Sequence, residues 1–345
     1  MRNVKKVIAG ILLTATVLGT GTQLSVGAAK YSLEGSSSEV SFNKRPSKEQ
    51  NELDTESDSY SVAAFFNKVH VQEMKELDDI YDFALYSCYI NSYKTYKDDG
   101  LTIDICEEKW NEVANKCDVV LSYYNESDER DEVKKYNLMK QIANATIAWF
   151  KAERESTVKN WNNVASEFEK VKNSIEDTKE EICESVKVDN VQAQAKVDTA
   201  VAYAAFVELN NAINPTEKDY DRVGSLLANA ALENYDLNVR HDGLAEECNG
   251  KFEEIYIKVK DIKQEEQNSE LLTKFTWMRN QIRLIQTDEL CDYAEACELE
   301  ERRQLINEAK NTYYELYYYF MNMGRNEEAM KCHEGLQKIE SGYYN

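Results

Sequence analysis

Residues 158–186 read VKNWNNVASEFEKVKNSIEDTKEEICESV, and their spacing decides the fold class. Val158, Trp161, Ala165, Phe168, Lys172, Ile175, Lys179, Ile182 and Val186 follow one another at alternating steps of three and four. An α-helix turns once in about 3.6 residues, so this spacing gathers its apolar members on one face. The pattern is a heptad seam interrupted at Lys172 and Lys179. A strand would alternate by two, and no such run occurs here.

The same steps extend in both directions. Leu77, Ile80, Tyr81, Ala84, Leu85 and Cys88 form one helical stripe. Turn and cap residues divide the chain further. Asp98-Asp99-Gly100 ends a helix over 58–97, and Asp104, with Glu107 three residues on, is expected to cap a helix reaching Tyr124. Asp128, Glu129, Asp131 and Glu132 put negative charge at the start of a long helix, with a break expected at 153–157. A helix is read over 191–213. Pro215 and the box Thr216 to Asp219 start another. Asp242-Gly243 and Asn249-Gly250 read as turns, 251–286 and 288–323 as long helices, and 326–340 as the last helix. The expectation is an all-α array or bundle of about eight to ten mostly antiparallel helices, solenoid-like in one version. A subdivision near residue 190 would separate a long-helix part, 58–189, from a helical-hairpin part, 190–345.

Composition agrees. Of 345 residues only 2 are Pro and 12 are Gly, and 42% are apolar, enough for a sizeable core. The 41 Lys and Arg against 63 Asp and Glu give a net charge of −22, which disfavours nucleic acid as a partner because phosphate neutralisation needs clustered cations. The first residues read as an address. Arg2, Lys5 and Lys6 precede an apolar run from Val7 to Leu18, and Val26 and Ala28 satisfy the small-residue rule for cleavage. Residues 1–29 are therefore expected to be a secretory signal whose cleavage leaves no stable membrane span, making the protein secreted or extracellular; the alternative is an uncleaved anchor, since no charge occurs from Val7 through Ala29. Residues 30–57, with Ser36-Ser37-Ser38 and Pro46, are expected to be a disordered tether.

Chemistry-bearing motifs are few. Eight cysteines at 88, 106, 117, 183, 248, 291, 297 and 332 contain no C-x-x-C pair, so any disulfide must join different helices. His70, His241 and His333 belong to no His-Glu-x-x-His or Glu-x-x-His motif. No cofactor or metal site is expected, and the paired carboxylates Glu246-Glu247, Glu265-Glu266 and Glu300-Glu301 read as solvated faces. Tyr86, Tyr89, Tyr93 and Tyr96 follow 3,4,3 spacing.

Tyr313, Leu316, Phe320, Gly324, Ala329 and Met330 stand at the relative positions of one tetratricopeptide repeat, and residues 310–340 resemble a single hairpin of that family. Tyr317, His333 and Leu336 depart from its pattern. The resemblance implies protein or peptide recognition on a concave helical surface. Tyr313, Tyr314, Tyr317, Tyr318 and Tyr319 also crowd one stretch of helix, and at about 100° per residue they cannot all face one core. Tyr313, Tyr314, Tyr317, Tyr318, Phe320 and His333 are therefore the expected binding residues. The function expected is non-enzymatic binding of another protein or a cell-surface component. The alternatives are an extracellular structural or spacer protein that forms a coiled-coil homodimer through 158–186, and a helical extracellular hydrolase or lyase acting on glycan; a homo-oligomer is thus one expected partner state.

Overall fold

A computed structural model of the chain describes residues 55–90, 102–124, 130–237, 243–262 and 269–344. The leader expected over 1–29, most of the tether, Tyr93, Tyr96 and the turn at 98–100 lie outside the described residues. Among those described there are eleven α-helices and no strand. They are α1 (Thr55–Cys88), α2 (Ile103–Leu121), α3 (Asp131–Arg154), α4 (Val158–Glu176), α5 (Glu180–Val186), α6 (Asn190–Asn211), α7 (Glu217–Asp236), α8 (Gly243–Ile262), α9 (Glu270–Glu295), α10 (Leu299–Asn322) and α11 (Asn326–Glu340).

Several boundaries follow from local chemistry. The Thr216 hydroxyl accepts the Asp219 N–H while Asp219 accepts the Thr216 N–H, which is the expected capping box at the start of α7. At α2 the cap is Thr102, whose hydroxyl accepts the Ile105 N–H at 3.3 Å. Asp104, expected as the cap, lies in the first turn and instead pairs with Arg154 at 2.6 Å. Asn249-Gly250 is not a turn, because both residues lie inside α8, which Gly243 opens. The break expected at 287 falls instead at 296–298. Thr287 is buried within α9, and Arg302 closes that helix by donating to the carbonyls of Ala294, Glu295 and Cys297.

The stretch 158–186 is two helices. Asp177 and Thr178, poor helix formers whose side chains compete for backbone partners, interrupt it. Thr178 bonds back to the Ser174 carbonyl at 2.6 Å. The buried stripe of α4 is Trp161, Val164, Phe168, Val171 and Ile175. Val164 and Val171 thus replace Ala165 and Lys172, so the 3,4 alternation runs in the opposite phase. This phase buries two valines and leaves the Lys172 ammonium beside Glu169 at 3.4 Å. The stripe is consumed within the chain, because α4 packs between α3 and α6.

From α6 onward each helix packs chiefly on helices one or two places away in the chain: α6 on α7, α7 on α8 and α9, α9 on α10, and α10 on α11. The N-terminal helices close differently. The Tyr81 hydroxyl of α1 donates to the Val186 carbonyl at 2.8 Å, and Lys135 of α3 pairs with Asp78 at 2.7 Å. One apolar core runs from Leu77 to Ile282, continuous across residue 190. A separate core of Leu284, Cys291, Ala309, Tyr313, Leu316, Phe320, Ala329, Cys332, Leu336 and Tyr344 serves the C-terminal helices. All eight cysteines are buried free thiols, and burial pushes those of Cys117, Cys248 and Cys332 up to about 12.

The contact between α6 and α7 carries a pH dependence. Partial burial, then the charge and hydrogen bond of Asp198, push the Glu233 carboxyl up to about 7. A carboxyl raised in the folded state stabilises the fold fully below its ordinary range and loses that contribution as pH rises through about 7. Glu233 is open to solvent on its outer side, so the loss is expected to stay within about 1 kcal/mol. Glu233→Gln should flatten the dependence of the urea midpoint between about pH 5 and about pH 8. An unchanged slope would assign the effect to other groups.

Candidate functional site

The C-terminal hairpin is built by two small residues. Gly324 takes the left-handed conformation, φ 68°, that ends α10 and admits the turn into α11. Gly335 lets α11 approach α10 so closely that an added Cβ would lie 2.5 Å from Cζ of Tyr313. The close approach therefore sits at Gly335, which is why the adjoining Leu336 is accommodated as a core residue, 5% exposed.

This packing sorts the six expected binding residues. Tyr313 and Phe320 are core residues, at 1% and 0% exposure, and do not belong to a binding surface. Along α10 the residues Tyr313, Leu316 and Phe320 point inward at steps of three and four, which leaves the opposite face to other tyrosines. The Tyr313 hydroxyl donates to Asp288, whose carboxyl burial holds above the usual range. Tyr314 and Tyr318 are exposed, Tyr318 at 64%, and Tyr317 is half-buried. His333 is exposed on α11, its ring 6.2 Å from that of Tyr317 and its Nε2 3.0 Å from the Gln337 amide.

The structure thus brings Tyr314, Tyr317, Tyr318 and His333 to one outer face. Tyr314, Tyr317, Tyr318 and Met321 occupy i, i+3, i+4 and i+7 of α10, a single stripe. The contacts of Tyr313 with Gly335 and Tyr317 with His333 set an antiparallel register. That register brings Met321 level with Met330, which is 62% exposed. Tyr317 and Tyr318 meet edge to face at 5.6 Å. Tyr314 is tethered at one end of the stripe: its hydroxyl donates to Glu340 at 3.0 Å, and Glu340 also pairs with Lys310 at 3.2 Å. The two methionines were not among the expected residues, although the i+7 step from Tyr314 to Met321 is visible in the sequence.

A second feature is a cavity of about 360 Å³ where the C-terminal ends of α3 and α6 meet the first turn of α4 and the middle of α8. Trp161 and Tyr203 form its inner wall, with their rings perpendicular at 4.8 Å. Lys251 lies 4.7 Å from the Tyr203 centroid and 5.6 Å from that of Phe206, and it pairs with Glu247 at 3.1 Å. Glu153 borders the other side and accepts the Trp149 indole N–H at 2.9 Å, while the Ser156 hydroxyl accepts that of Trp161 at 2.9 Å. Asn210 and Asn211 complete the rim. None of these residues was expected as a site. Trp161 read as a seam position and Glu247 as a solvated carboxylate, and no local motif links positions nearly a hundred residues apart.

Among the described residues, no His, Cys, Asp and Glu cluster is arranged to hold a metal, and no helix is long and apolar enough to cross a membrane. His70 packs against two aromatic rings, tilted against Tyr123 at 4.6 Å and edge-on against Tyr124 at 5.2 Å. Compared with known proteins, the chain matches no family model, no curated protein and no solved structure.

Proposed function

We propose that this is an exported, non-enzymatic helical protein that binds another protein or a cell-surface component through the outer face of α10 and α11. One observation carries the reading. Tyr313, Leu316 and Phe320 already fill the core beneath α10, so the exposed Tyr318, Met321 and Met330 are not needed to fill it. Aromatic rings offer large contact area at modest ordering cost and methionines adapt to irregular surfaces, which is why interfaces concentrate them. The net charge of −22 favours a cationic partner surface over an anionic one and disfavours a second copy of the chain. Export rests on residues 1–29, and a mature chain recovered from medium should begin at Ala29 or Lys30.

The test compares capture by the wild-type chain with capture by the triple variant Tyr314→Ala, Tyr317→Ala, Tyr318→Ala, alongside their circular dichroism. The expected outcome is an unchanged helical spectrum with affinity for the captured partner reduced by about tenfold or more. Equal capture by the two chains would place recognition elsewhere.

A further inference from the structure

We propose that the cavity between α3, α4, α6 and α8 is a second binding site, specific for a neutral saccharide of about one or two rings, since its volume lies near the small end of the ~300–1,000 Å³ typical of small-molecule sites. The proposal is independent of the α10–α11 face.

Charge selects the class. A cationic ligand would meet the Lys251 ammonium, which already covers Tyr203 and Phe206. An anionic ligand would meet Glu153 and Glu247. Lys251 pairs with Glu247 and Glu153 accepts the Trp149 indole N–H, so each charged group of the lining is already engaged and what the cavity offers a ligand is chiefly hydrogen bonding. It also offers both roles. Asn210 gives its carbonyl to Lys258 at 3.1 Å, which leaves its amide N–H groups as donors. The Ser156 oxygen accepts the Trp161 indole, so its own O–H donates. Asn211 supplies a donor and an acceptor at the rim, and the two carboxylates accept. Sugar hydroxyls each donate and accept, and so match such a mixture. The C–H faces of a sugar ring suit Val207, an apolar part of the lining beside the ring of Phe206. Trp161 lies in the wall, so ligand entry is reported by its fluorescence.

The experiment is calorimetric titration of the full chain, with tryptophan emission followed in parallel. The probes are glucose, N-acetylglucosamine and cellobiose as neutral sugars, glucuronate as an anion and choline as a cation. At least one neutral sugar is expected to bind saturably in the millimolar range, with glucuronate and choline about tenfold weaker or more. Asn211→Ala, an exposed substitution at the end of α6, should weaken sugar binding about tenfold, while Tyr318→Ala should leave it unchanged. The proposal is overturned if no neutral sugar binds up to about 50 mM, a range that would register even a very weak site. It is equally overturned if a charged probe binds as well as the sugars, or if Asn211→Ala and Lys251→Met both leave sugar binding intact. Loss of partner capture in the tyrosine variants with sugar binding retained would separate the two surfaces.

Discussion

Trp149→Ala is expected to destabilise the chain by about 3–5 kcal/mol, the range for emptying a fully buried large aromatic site. Trp149 is 0% exposed and sits at the meeting point of three helices. Its ring lies edge-on to Trp161 of α4 at 5.3 Å, edge-on to Phe168 of the same helix at 6.1 Å, and 6.3 Å from Tyr203 of α6. Truncation removes these contacts together and leaves a void between rigid helices that cannot collapse freely. It also takes away the indole N–H that Glu153 accepts. Urea unfolding of wild type and variant measures the difference. A loss below about 1 kcal/mol would mean that the aromatic cluster is looser than its geometry indicates. Because Trp161 and Tyr203 wall the cavity, the variant should also lose saccharide binding, whereas Trp149→Phe should retain part of both.

Gly335→Ala is expected to cost about 3 kcal/mol, at the upper end for overpacking. The added methyl would lie 2.5 Å from Cζ and 2.8 Å from both Cε atoms of Tyr313. The ring has nowhere to go, since Tyr313 is 1% exposed and its hydroxyl is held by Asp288 with the Cys291 sulfur 4.0 Å away. The strain must then separate α11 from α10. The C-terminal helices have their own apolar core, so the damage should be local. Hydrogen exchange is expected to rise in 299–340 and to change little in α3, α4 and α6. Gly335→Ala combined with Tyr313→Phe should recover little, because the clash is with the ring. Tyr313→Leu should recover more. Uniform loss of protection along the chain would show instead that the hairpin does not unfold as a separate unit.

These two sites illustrate how unevenly the sequence reveals the fold. Gly324 as the turn and Ala329 as a small contact residue were readable from their positions, whereas Gly335, which permits the closest approach, carried no local signal. The six residues expected to bind divided by burial. Tyr314, Tyr317, Tyr318 and His333 share one face, while Tyr313 and Phe320 fill the core. The run of five tyrosines implied that some must face outward, but which ones depended on where α11 and α9 lie. The cavity was invisible because its lining comes from four helices.

By itself the sequence determined the all-α class, the capping box at Thr216 and Asp219, and the span of the last helix. These depend on hydrogen bonds and side-chain spacing within one or two helical turns, and so are encoded by neighbours in the chain. The tertiary structure alone decided that α4 buries Val164 and Val171 in place of Ala165 and Lys172. It also decided which tyrosines of α10 remain exposed, and that Glu153, Trp161, Tyr203 and Lys251 surround one cavity. Each of those outcomes depends on burial against a helix distant in sequence, and a helical period alone leaves that choice of face open.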